Sequence, residues 1–170
     1  MIMHHTYKEA LSSPEKSLRD YVGMQVELAA RNHFTVPPLC NLLHECGKIF
    51  FEPELFRFGR KPMKRGECFK NALQLSIDLK GSKYCHGYAI DESLGVPIEH
   101  AWVSHGGRAI DLTWEERVNG GPFHYFGIEL EPDVALAFMS RTGVYGLEFY
   151  LDKDQVGLRK LERHLKGELL

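Results

Sequence analysis

The sequence predicts an α+β fold, and three observations carry that reading. Apolar residues recur at helical spacing up to about residue 80, and the period then changes to two. Helices thus come first and strands follow in a run, which is the order of an α+β chain rather than an alternating α/β one. Hydrophobic residues make up 44% and charged residues 26%, close to the globular average, so disorder, a collagen-like rod and a membrane bundle are set aside. The 170 residues favour a single domain spanning 1–170. Within it, residues 1–56 read as a helical N-terminal layer and residues 66–114 hold the core motifs. Residues 115–170 complete the sheet and add a C-terminal helix.

Ser13-Pro14-Glu15 starts the first helix with a capping hydroxyl, a proline at the first helical position and an early carboxylate. Leu18, Tyr21, Val22, Leu28 and Ala29 follow at helical spacing to about Arg31. Pro37-Pro38 opens a second helix carrying Leu39, Leu42, Leu43 and Cys46, with Gly47 and Pro53 as breakers. Arg57, Arg60, Lys61, Lys64, Arg65 and Lys70 form a basic stretch opposed by Glu67, interrupted by Gly59, Pro62 and Gly66, and so a loop. Such a loop is a solvated face or a positive rim that favours an anionic substrate or a thiolate. A helix is expected over 67–80, with Cys68, Ala72, Leu75 and Leu79 along one side and Gly81 as its stop. Strands are expected over 84–90, 98–104, 108–112 and 123–130, the middle two joined at His105-Gly106-Gly107. A short helix over 132–141, a last strand over 144–151 and a charged amphipathic helix over 152–166 complete the chain.

Lys plus Arg number 21 against 23 Asp plus Glu, a net charge of −2, so no global basic field for nucleic acid exists and none is expected as a partner. No apolar run approaches the ~20 residues of a bilayer span, and the N-terminus lacks the features of a secretory signal. Four cysteines without an export signal read as reduced thiols, and a cytoplasmic location is expected.

Three residues stand out by placement. Cys68 sits in the first turn of its helix, where unpaired amides and aligned peptide dipoles favour a thiolate and can also hold an oxyanion. His100 lies mid-strand, and Asp111 lies in the next strand. If Gly106-Gly107 is a two-residue turn, His105 opposes Arg108, and parity puts His100 and Asp111 on one face as diagonal neighbours. Ala101, Val103, Ile110 and Leu112 then share the other face, ready for burial. In that arrangement His100 is the general base and acid for the Cys68 thiol, and Asp111 orients it.

At these residues the chain resembles the transglutaminase-like superfamily, the papain-related fold in which Cys, His and Asp act in that order. The matching pieces are Gly66-Glu67-Cys68-Phe69-Lys70-Asn71-Ala72, Gly87-Tyr88, His100-Ala101-Trp102-Val103 and Ile110-Asp111-Leu112-Thr113-Trp114. The resemblance implies a nucleophilic Cys68 at a helix start, packed on an antiparallel sheet whose adjacent strands carry His100 and Asp111. The resemblance covers about residues 66–114 and does not extend to the flanks on either side. Arg65-Gly66-Glu67-Cys68 also resembles the arylamine N-acetyltransferases.

The expected activity is hydrolysis of an amide-type bond through a thioester, in a peptide, a protein or a small amide. The alternatives are transfer to an amine, as in a transglutaminase or N-acyltransferase, and a silent binding module holding an acidic partner. Trp102 and Trp114 are candidate walls of an acyl slot, with core aromatics as the default reading; Tyr88 is a candidate oxyanion donor against a structural tyrosine, and Arg65 a candidate substrate contact. Asn71 and Gln74 follow Cys68 on its helix and read as groups that steady a loop or substrate amide or, by default, as exposed helix polars. His33, Cys40, His44 and Cys46 are all possible zinc ligands, but their spacing is not a standard knuckle and Cys40, Leu43 and Cys46 fit an apolar helix face. No phosphate loop or dinucleotide fingerprint occurs, so neither a metal nor a cofactor is expected.

Overall fold

The structure, a computed structural model, describes residues 13–35, 37–51, 63–91, 95–114, 123–147 and 155–168. Helix α1 (Pro14–Arg31) starts where the sequence places it, with Ser13 Oγ accepting from the Lys16 amide at 3.2 Å. It buries Leu18, Val22 and Ala29, and Leu18 and Val22 share a core cluster with Leu39, Cys40, Leu42 and Leu43 of α2 (Pro38–Cys46). Directly after Gly47 comes β1 (Lys48–Phe51), a strand inside the stretch expected to be helical. Helix α3 (Cys68–Asp78) then leads into β2 (Ser82–Asp91), β3 (Pro97–His105), β4 (Arg108–Ile110) and β5 (Phe123–Leu130). Helices α4 (Pro132–Thr142) and α5 (Gln155–Leu165) follow.

The architecture is α+β, as expected, but the sheet closes on itself. The strands run β1-β4-β3-β2-β5, with β1 also bonded to β5. β1 meets β4 in parallel through Phe51 and Arg108, so the sheet is mixed rather than wholly antiparallel. The hairpin between β3 and β4 has the register anticipated for a two-residue turn: His105 opposes Arg108, and Val103 opposes Ile110. Gly106 and Gly107 both have positive φ, 60° and 80°, the conformation such a hairpin turn requires.

Closure buries both faces of the strands. Outside, Tyr84, Tyr88, Ala101, Val103, Ile110, Ile128 and Leu130 pack with the helices. Inside, Phe50, Cys85, Ala89, Trp102, Ala109, Phe123 and Tyr125 form a second cluster. The apolar face of the β3–β4 hairpin is covered as expected, yet its other face lines the barrel interior instead of meeting water. Gly87 and Gly127 oppose each other across β2 and β5. A methyl on Gly127 would lie 2.5 Å from Trp102 Cη2, so that glycine makes room for the largest side chain inside.

The expected strand over 144–151 is corrected for its described part. Residues 144–147 form bends rather than a strand, with Gly146 at φ 112°, a value that breaks extended pairing. The Leu147 amide donates to a histidine ring, His86 Nδ1, at 3.3 Å. Residues 148–151 lie outside the described residues. Among the described residues, no helix is long and apolar enough to cross a membrane.

Candidate functional site

Cys68 is the first residue of α3 and is half-buried. Glu67 stands at the N-cap but makes no side-chain cap bond. Its carboxylate is turned to Lys64 and Lys70 instead, and hydrogen bonds from those two ammonium groups hold it below the usual carboxylate range. The opening amides of α3 therefore have no side-chain oxygen laid over them, and such groups attract negative charge.

The strand expected over 108–112 ends at Ile110, so Asp111 stands just past β4, and two ties bring the helix start to this segment. Asn71 Nδ2 donates to Lys64 O at 2.8 Å and to Thr113 Oγ1 at 3.0 Å, and the Met63 amide donates to Leu112 O at 3.0 Å. Asn71 is buried, not the exposed helix polar its sequence context suggests. Its amide joins the turn before Cys68 to the chain after Asp111, which nothing in its helical spacing announces.

His100 and Asp111 meet as the hairpin parity requires. His100 Nε2 lies 2.6 Å from Asp111 Oδ2, and each side chain is 3% exposed. Asp111 Oδ2 also accepts from Tyr125 Oη at 3.2 Å. Oδ1 accepts from the backbone amides of Thr113 at 2.9 Å and Trp114 at 3.3 Å. The carboxylate is thus held by four donors. Burial by itself would lower the His100 imidazole. The charge and hydrogen bond of Asp111, joined by the Cys68 sulfur as acceptor and negative partner, outweigh burial and raise it to about 9. With Nε2 on Asp111, the ring nitrogen left for Cys68 is Nδ1. Trp114 stacks on the imidazole, ring centroids 4.2 Å apart and planes 20° off parallel, which fixes the ring's orientation.

No protein-family model matches the chain, and no curated protein or solved structure matches it at a significant level. The site is therefore read from its own geometry.

The structure brings together Cys68, His100 and Asp111, with Trp114 over the imidazole, and places the other candidates elsewhere. Trp102 is 1% exposed inside the barrel, 5.0 Å from the Tyr125 ring, so it is core and not the wall of an open slot. Tyr88 points from the opposite face of β2 into the helical layer. There its ring packs on Tyr21 and its hydroxyl lies 3.8 Å from Cys40 Sγ, so it serves that interface rather than an oxyanion. Arg65 is exposed in the turn three residues before Cys68. Of the basic stretch, residues 57–62 lie outside the described residues, and Lys64 and Lys70 are engaged by Glu67.

Two participants escaped the sequence reading. Tyr125 reaches Asp111 from a strand far along the chain, and His86 lies one residue from Gly87, which pairs with His100. His86 accepts from the Leu147 amide at Nδ1 and shares its Nε2 proton with Glu99 Oε1 at 2.8 Å, while Phe69 packs on its ring at 4.8 Å. His86 steadies the residue after Cys68 rather than joining the His100 pair.

Proposed function

We propose that this chain is a thiol enzyme with a papain-like core, which cleaves an amide-type bond through a thioester on Cys68. The observation that carries the reading is the position of His100, hydrogen-bonded to Asp111 and near enough to Cys68 for the sulfur to help raise its imidazole. An imidazolium beside a sulfur at an uncapped helix start is the setting in which a thiol acts as a thiolate.

In the proposed reaction the Cys68 sulfur attacks the carbonyl carbon, and the C=O π electrons move to oxygen. The amide N–H groups opening α3 stabilise that oxyanion. The intermediate collapses, the C–N bond breaks, and the His100 imidazolium gives its proton to the departing nitrogen. Water then attacks the thioester with His100 taking its proton, and the sulfur leaves as the thiolate. The charge of the imidazolium is stabilised throughout by Asp111. Hydrolysis is preferred to transfer because it requires no second pocket for an amine.

The test uses p-nitrophenyl acetate and an acetyl p-nitroanilide. Acetyl transfer to the Cys68 peptide, seen by mass spectrometry after a brief reaction with the ester, is the expected result. Cleavage of the anilide should also fall as pH rises through about 9, because His100 carries its proton below that value and loses it above. An unacetylated Cys68, or an acetyl group found on other side chains alone, would remove the support for a thioester route.

A further inference from the structure

We propose that Tyr125 is a positioning residue of this site: its hydroxyl fixes the Asp111 carboxylate and tempers the pull of that carboxylate on His100. The inference rests on the thiol-enzyme reading and adds a residue to it.

Tyr125 lies on β5, fully buried in the barrel interior. Phe50 is its register partner on β1, and Trp102 packs against its ring at 5.0 Å. Between those neighbours its hydroxyl donates to Asp111 Oδ2 at 3.2 Å. It is the same oxygen that receives His100 Nε2 at 2.6 Å. The second oxygen is taken by the Thr113 and Trp114 amides, so removing the phenol frees one side of the carboxylate and leaves the other pinned. The groups facing the pair are thus Cys68 from α3, Tyr125 from β5 and the two amides that follow Asp111.

Two consequences follow from an anion sharing one oxygen between two donors. The carboxylate plane is set by three directions besides the imidazole, which keeps the ring aligned for Cys68. Part of the oxygen's charge is also satisfied by the phenol, so it attracts the imidazolium proton less strongly than it would alone. This is a tuning function that a purely apolar barrel residue would not serve. Phenylalanine would fill the same volume and pack on Trp102 equally well.

The test compares wild type with Tyr125→Phe and with a protein carrying 3-fluorotyrosine at position 125, whose more acidic phenol donates more strongly. The His100 titration midpoint is read by NMR on ring-labelled histidine, and turnover by p-nitrophenyl acetate. Tyr125→Phe is expected to raise the midpoint, and to lower kcat roughly threefold to tenfold with KM unchanged. The fluorinated residue should lower the midpoint. Should Tyr125→Phe fail to fold, the fluorinated protein alone decides the matter through the sign of its shift. A midpoint unmoved by either replacement would overturn the proposal. If wild type shows no turnover, the thiol-enzyme reading fails, while the NMR midpoints still report whether Tyr125 tunes the pair.

Discussion

Replacing His100 with alanine is expected to slow turnover of p-nitrophenyl acetate roughly a thousandfold, within the range typical of a lost general acid and base. The substitution removes the proton carrier between Cys68 and the reacting groups, and it takes a charged partner from a buried Asp111. His100→Gln separates the two effects. Glutamine can still donate to Asp111 Oδ2, but it cannot carry a proton, so its folding should be nearly normal while its activity stays as low as that of the alanine variant. A glutamine variant retaining most of the wild-type rate would contradict the assigned role. The pair also has a signature in stability. The imidazole is raised from its ordinary value of 6.5 to about 9 on folding. Its contribution is therefore fully present below pH 6.5 and is lost as pH rises through about 9. The stability gap between wild type and His100→Gln should narrow across that window in denaturant titrations at fixed salt.

Gly87→Ala is expected to be the most destabilising small substitution in the described barrel strands. A methyl group there would lie 2.1 Å from Phe126 O and 2.5 Å from Gly127 Cα. Both are backbone atoms of the paired strand, so relief requires β2 and β5 to move apart. The cost should reach about 3 kcal/mol or more, the upper end of the range for overpacking. Because Gly87 also pairs with His100, the thiol should lose its reactivity in the same variant. Gly23→Ala in α1 is the internal control, since nothing lies within 4 Å of its added methyl. That change should stabilise by about 0.5–1 kcal/mol through helix propensity. Urea midpoints for the two variants, with unchanged m-values, measure both effects.

The parts of this molecule written in short-range chemistry were legible in the sequence. Ser13-Pro14-Glu15 fixed the start of α1 because a cap and a proline act on their own neighbours. The Gly106-Gly107 turn fixed the hairpin register, and the register in turn put His100 and Asp111 on one face. The Cys68 position at the start of α3 followed from its flanking residues.

What stayed hidden depends on partners distant along the chain. β1 has four residues, too few for a period to show, and it exists through pairing with β5 some seventy-five residues later, Ile49 opposite Phe126. Without β1 the closing of the sheet could not be foreseen. The face of β3 bearing His100 then gives no sign that it lines a closed interior, although Trp102 on that face reads as core by default. Asn71 and Tyr125 are ordinary by spacing, and only the folded contacts with Thr113 and Asp111 give them a place at the site.

The alkylation order of the four cysteines tests the central claim most directly. Cys40 and Cys85 are buried, and Cys46 is half-buried like Cys68. Burial pushes the Cys46 thiol up, aided by the Glu45 and Glu162 carboxylates and opposed by Lys166, so it serves as an unactivated thiol of similar access. Limiting iodoacetamide at about pH 6, followed by peptide mass spectrometry, should label Cys68 at least about tenfold faster than Cys46, and that advantage should vanish in His100→Ala. Equal labelling of Cys68 and Cys46 in the wild-type protein would contradict an imidazole-activated thiol.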